Sequence, residues 1–320
     1  MATEIADKNP AFVFRKKRRD KNLFAQRIMG SLTSAVLLLV PLITVILLIR
    51  AWPILISKPI GELIFSTTWH PMKEEFGFYS FIMGTLWVTG MAMIIAVPPS
   101  LLTAIFLAEY APTRTRSLVK SFIDILAGIP SVVFGIWGVI VIVPFVRDVL
   151  APILDRWLGF IPLFQNNNPT GYGLLAGGLV LAVMVFPIII SLADEVISAV
   201  PQGLREASLT LGATRWQMIR SVVFRYGRSG VIAAVMLGFS RAFGETMAVM
   251  MVIGNVPLIP RSIFDPAYPI TALIANNYGE MMSIPLYDSA LMLGALILLV
   301  IVLIFNLTSR LALVRLIRRD

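Results

Sequence analysis

The chain has 320 residues, 58% of them hydrophobic and 14% charged, with a mean hydropathy of +0.85, a make-up that excludes a soluble globular domain. Cysteine is absent and His70 is the single histidine, so disulfide frameworks, thiol catalysis, iron-sulfur ligation and Cys- or His-rich metal sites are excluded and no metal ligands are assigned. The net charge of +9 raises nucleic acid as a partner, which the placement of the basic residues has to decide.

A hydrocarbon core about 30 Å thick is crossed by about 20 apolar residues in a helix. Six windows satisfy this, near residues 31–52, 81–107, 123–146, 172–192, 230–253 and 288–309. The expected fold class is therefore all-α, a polytopic membrane protein with six transmembrane helices. Residues 1–30 read as a basic N-terminal segment and 31–320 as one transmembrane domain. In the first segment "FRKKRRDKN", Phe14 to Asn22, acts as a topology determinant; its alternative is a lipid headgroup contact, which makes membrane lipid a partner. With the N-terminus inside, 20 of the 27 Lys and Arg residues fall in inner segments and 6 in outer ones, and Arg241 lies within a span. The positive-inside rule then places both termini in the cytoplasm. The basic surplus is topological, and nucleic acid drops out as a partner. No small-residue cleavage site follows the first span, which is expected to stay as an anchor.

Two spans carry helix-breaking sequence, "AVPPS" at Ala96 to Ser100 and "AGIPSVVFGIWG" at Ala127 to Gly138. Such residues are ordinary in helix bundles, and discontinuous helices also mark substrate sites near the bilayer midplane. "QNNNPTGYG", Gln165 to Gly173, reads as an outer turn.

The longest inner connection, Leu192 to Gly230, is too polar to cross the membrane. Pro201 separates it from the fourth span, a short helix follows, and Gly212 lets the chain turn. Thr214 and Gln217 stand at capping-box spacing. Trp216, Ile219, Val222 and Val223 then form an apolar stripe, so two short helices joined at a glycine are expected along the inner membrane surface. Periodicity alone leaves open an interfacial helix packed on its own bundle.

In the fifth window "FSRAFGET", residues 239 to 246, puts Arg241 and Glu245 inside an apolar run. A charge at a helix centre costs about 2.5 to 3.5 kcal/mol on insertion scales, so such residues face a bundle interior or a wet cavity. Four positions apart, they are expected on one helix face, about 6 Å apart along the axis. The plain alternative to a functional pair is an ion pair within or between helices, although basic before acidic is the weaker order for an i, i+4 pair. No phosphate-binding G-x-x-x-x-G-K-[ST] loop, H-E-x-x-H or G-x-S-x-G sequence is present, so the chain is expected to be no enzyme and to draw energy from a partner or an ion gradient.

Glu206, Ala207 and Gly212 resemble the E-A-A-x-x-x-G loop of ABC-importer permeases, here spanning 201–225, with Ser208 for the second alanine and "VVFR" where the family ends in I-x-L-P. "LAEYAP" at Leu107 to Pro112, "AGIPSVVFGIWG", and "SRAFGETMAV" followed by "IGN", Ser240 to Asn255, are similar to the phosphate permeases of the PstC kind. The related PstA kind typically continues with alanine and proline where this chain has Met247 and Ala248. The resemblance implies the MetI-like permease fold and phosphate import across the bacterial inner membrane. Its implied partners are a second, PstA-like permease subunit, a cytoplasmic PstB-like ATPase dimer that binds ATP and Mg, and a periplasmic PstS-like phosphate-binding protein. This chain itself then carries no cofactor. Glu206, Ala207, Gly212 and Trp216 would meet the ATPase. Arg241 would hold the oxyanion through its planar guanidinium, Glu245 would neutralise it between cycles, Gly244 would permit close helix approach, and Ser131 beside Pro130 would neighbour the path. Alternatives are another oxyanion such as sulfate or molybdate, a secondary transporter with Glu245 carrying a proton, and a membrane scaffold using the same loop.

Overall fold

The computed structural model describes residues 10–280, 284 and 286–317. The side chains of 10–23, 312–313 and 315–317 lie outside that description, so the basic stretch Phe14 to Asn22 is placed only as helix backbone. The chain divides into two compact units, Met1–Arg50 and Ala51–Asp320, and the boundary falls inside the first helix, α1 (Pro10–Ser57). In the first unit, side chains such as Val36, Leu37 and Ile49 are about two-thirds exposed, the condition of a helix that faces lipid.

The second unit continues with α2 (Ile60–Phe65) and a small antiparallel hairpin of β1 (Trp69–His70) and β2 (Glu75–Phe76), with His70 exposed. Trp69 packs edge-on to Phe76, Phe78, Phe81 and Tyr287, which seals this end of the unit. Then comes α3, Tyr79–Tyr110, whose last turn is π-helical over Phe106–Tyr110. Along it Ala92, Ala96, Ser100 and Ala104 recur every fourth residue, all fully buried. This stripe lets α3 lie close against α6 (Leu174–Ser198), the central helix, 72% of whose apolar window is buried. Pro98 and Pro99 sit on the exposed side of α3 and the helix continues through them, so "AVPPS" produces no break.

The third and fifth spans differ from their sequence windows, each because of one local feature. Window 123–146 is divided at Ile129 and Pro130. Proline has no N–H to continue the ladder and pushes the residue before it to extended backbone, and Ile129 has φ −71° and ψ 129°. A separate helix α4 (Thr113–Gly128) therefore precedes the span, which is α5, Ser131–Leu158. Within α5 the π-helical turns 138–142 and 146–150 hold the carbonyls four residues before Pro144 and Pro152, where an α-helical bond is lost. Window 230–253 is likewise two helices. After α7 (Gln202–Thr210), α8 runs unbroken from Arg215 to Phe243, stops at Gly244, and α9 (Met247–Val252) resumes beyond it.

The chain then forms a loop tied to the bundle. Gly254 pairs with Ala267, and the carbonyls of Asp265 and Ile263 accept from Leu174 and Leu175, satisfying open donors at the start of α6. The last helices are α10 (Ile270–Asn277) and α11 (Tyr287–Ile317). Six helices are long and apolar enough to cross a membrane among the described residues.

Candidate substrate path and coupling surface

The helix break places the two predicted charges differently from the sequence expectation. Arg241 lies exposed in the last turn of α8, whereas Glu245 lies half-buried beyond the helix, between α8 and α9. They share no helix face and, among the described residues, no ion pair joins them. Their order follows from the break. A cation belongs at the carbonyl end of one helix and an anion at the N–H end of the next. The Glu245 Oε1 accepts from the Ala248 N–H of α9 at 3.4 Å, and the Glu245 carbonyl accepts from the Thr271 hydroxyl of α10 at 3.0 Å. Basic before acidic, weak inside one helix, is the favourable order across two helix ends.

Neighbouring groups hold this turn in place. Ala242 and Phe243 are buried, Phe239 stacks on Phe305 of α11 with ring centroids 3.5 Å apart, and Ser240 donates to the Asn306 Oδ1 at 3.2 Å. On the other side, Gly135 of α5 meets α9. A Cβ there would come within 2.6 Å of the Met251 sulfur and 3.2 Å of the Ala248 Cα. The motifs "AGIPSVVFGIWG" and "SRAFGETMAV" therefore pack on one another, and half-buried Ser131 opens the helix that makes the contact.

Gly244 does not serve close approach within this chain. It caps α8 with φ −90°, and an added Cβ would meet only the Ser240 carbonyl at 3.8 Å. Gly244→Ala is accordingly expected to change the stability of the chain by about 0.5 kcal/mol or less, checked by thermal unfolding in detergent.

At the opposite end of α3 lies the segment 201–225. Thr214 and Gln217 form the expected capping box in both directions, and Gly212 turns the chain with φ +85°. An added Cβ at Gly212 meets nothing within 4 Å, so its requirement is the left-handed backbone rather than space. The stripe is shifted from the expected one: Met218, Ile219 and Val223 are buried, while Trp216 is 54% exposed. Glu206, Ala207 and Trp216 thus stand on an open surface with Leu204, Leu209 and Leu211, and Glu206 accepts from the Gln202 amide. The second expected short helix is the beginning of α8 itself. Without a proline after Val223, nothing interrupts its hydrogen bonds beyond a π-helical turn at Ile219–Val223.

Sequence reasoning missed what anchors this surface. Arg205 of α7 donates to Glu109 at 3.0 Å and to the carbonyls of Ile197 and Val200 at the end of α6. The Arg215 guanidinium lies over the Tyr110 ring, 5.4 Å from its centroid. Beside them the fully buried Asp194 carboxylate of α6 pairs with Arg116 at 3.0 Å and Lys120 at 2.6 Å, both from α4. The available signal was an acid, Asp194, at the polar end of an apolar span, together with the spare carboxylate in "LAEYAP". Removing one partner of a sealed pair costs about 3–5 kcal/mol. Arg116 and Lys120 remain 32% and 46% exposed, so Asp194→Asn is expected to cost about 1–2 kcal/mol, read as a lower unfolding temperature of the purified chain.

Known proteins resemble this chain over most of its length. Residues 100–319 match the family described as "Binding-protein-dependent transport system inner membrane component". The chain is 42% identical over 259 residues to the phosphate transport system permease protein PstC of Xylella fastidiosa, covering 80% of this chain and 79% of that one. It is 40% identical over 279 residues to PstC of Haemophilus influenzae, covering 86% and 88%. A solved chain of the inward-facing MetNI methionine ABC transporter superposes with a TM-score of 0.54 at 18% identity, covering 78% of this chain and 99% of that one, which establishes the MetI-like fold. With six membrane-length helices among the described residues, an exposed turn between the fourth and fifth, and a match over more than two-thirds of its length, the chain belongs to the binding-protein-dependent transport system inner membrane components, the permease subunits of ABC importers.

Proposed function

We propose that this chain is one permease subunit of an ATP-driven phosphate importer, working by alternating access. The observation that carries the reading is the interrupted fifth span, which sets Arg241 and Glu245 at two facing helix ends within an apolar segment. The likeness to PstC proteins supports phosphate as the cargo. Arg241 offers a planar pair of donors to two phosphate oxygens and keeps its charge when desolvated. Glu245, held by the Ala248 N–H, accepts from a protonated phosphate oxygen or balances Arg241 when the path is empty. Exposure of Arg241 and Gly244 in the isolated chain leaves this side open to a second, PstA-like permease subunit.

Glu206, Ala207, Gly212 and Trp216 present the surface for a PstB-like ATPase dimer, which binds ATP and Mg; this chain has no phosphate-binding loop of its own. A PstS-like protein delivers phosphate from outside, and the charge distribution supports both termini in the cytoplasm beneath a bacterial inner membrane. Radiolabelled phosphate uptake into vesicles holding the four components and ATP tests the reading. Glu245→Gln is expected to assemble with the ATPase yet lose most uptake. Uptake of sulfate or molybdate in preference to phosphate would reassign the cargo, and uptake without ATP would overturn the mechanism.

A further inference from the structure

At the end of α3 opposite the coupling surface, a cavity of about 650 Å³ is lined by residues that include Thr67, Ser80, Leu258, Arg261, Asp265 and Pro266. Ser80 is in the first turn of the helix, where backbone N–H groups have no partner within the helix and the dipole favours an anion. Its side chain is 1% exposed, and its hydroxyl has no hydrogen-bond partner in the structure, an expensive condition for a buried polar group. Arg261, exposed and the single Lys or Arg in residues 254–287, lines the same cavity. The one acid at the site is already engaged: the Asp265 Oδ2 accepts from the backbone N–H of Arg261 and of Ser262, both at 2.9 Å.

We infer that this cavity is a receiving subsite for a tetrahedral oxyanion, upstream of Arg241. Arg261 supplies the charge, and the Ser80 hydroxyl supplies a donor that nothing in the chain uses. The position suits a waypoint. Thr85 lies five residues, about 7.5 Å, further along α3. Its hydroxyl accepts from the Ile270 N–H, and the next residue, Thr271, donates to the Glu245 carbonyl. The subsite therefore lies roughly a turn and a half of helix above the break. As free phosphate, its occupant rests on the function proposed above; a lipid headgroup would present the same chemistry, and the test separates the two.

Because the chain has no cysteine, Thr67→Cys, at an exposed residue lining the same cavity, introduces one thiol whose modification in this subunit is unambiguous and leaves the Ser80 hydroxyl in place. The assembled importer is reconstituted in phosphatidylcholine vesicles, and labelling by an anionic methanethiosulfonate is followed with and without inorganic phosphate. With phosphate at ten times its dissociation constant, labelling is expected to slow about tenfold, and Thr67→Cys combined with Arg261→Gln to lose that protection. Arg261→Gln should also slow the anionic reagent relative to a cationic one. Normal uptake by the unmodified importer with no protection of the introduced thiol would overturn the subsite and leave the phosphate reading intact. Protection by sulfate but not phosphate would keep the subsite and overturn phosphate as cargo. Protection that needs phosphatidylglycerol and no added phosphate would assign the cavity to a headgroup and overturn the waypoint.

Discussion

Arg241→Gln is expected to lower ATP-driven phosphate uptake on the order of a hundredfold while leaving assembly with the ATPase unchanged. The magnitude follows from losing two charge-assisted hydrogen bonds to the oxyanion, together about 3 kcal/mol or more. Arg241→Lys keeps the charge but not the planar fork, and should fall between the two, at about a tenfold loss. The substitution leaves the fold standing, because Arg241 is exposed and the turn is held by Phe239, Ser240, Ala242 and Phe243. Uptake rates in reconstituted vesicles, set beside co-purification with the ATPase, measure both halves. Normal uptake in Arg241→Gln would remove this residue from the path.

Arg205→Ala is expected to separate ATP hydrolysis from transport. The guanidinium joins three elements: α7, which carries it; the carbonyls of Ile197 and Val200 at the end of α6; and Glu109 at the end of α3. Its side chain is 17% exposed and that of Glu109 6%, so the alanine leaves a nearly buried carboxylate and two carbonyls without this donor. A push on α7 would then no longer reach the central helix. The number of phosphates moved per ATP hydrolysed should fall at least about fivefold, the lower end of typical coupling strengths, while ATPase activity persists. Arg205→Lys can keep one contact at a time and should recover part of the coupling. An unchanged ratio in Arg205→Ala would show that force enters elsewhere, the Arg215 contact with Tyr110 being the next candidate.

The parts of this protein written in local sequence were legible, and the parts written in tertiary contacts were not. Six apolar stretches, the capping box at Thr214 and the turn at Gly212 each follow from one short segment, and the structure contains them. Hydropathy could not place the breaks, because it is blind to hydrogen-bond continuity. Pro130 ends a ladder, while Pro98 and Pro99 are absorbed by the exposed side of α3. Glycine roles depend on the same distant neighbours. Within this chain a Cβ at Gly244 meets only the Ser240 carbonyl, whereas Gly135, quoted in a motif and given no role, makes the close contact. The pairs that hold the coupling surface link positions 78 and 96 residues apart, a separation no periodicity reports.

The missing proline after Val223 has a mechanical result. Because α8 is uninterrupted, Arg215 at one tip and Arg241 near the other are two ends of one rod, about 39 Å apart. A tilt of about 10° around the first would swing the second sideways by about 7 Å. On the function proposed above, the stroke at the cargo would be set by lever length, and the ATPase would need to move its own contact only slightly.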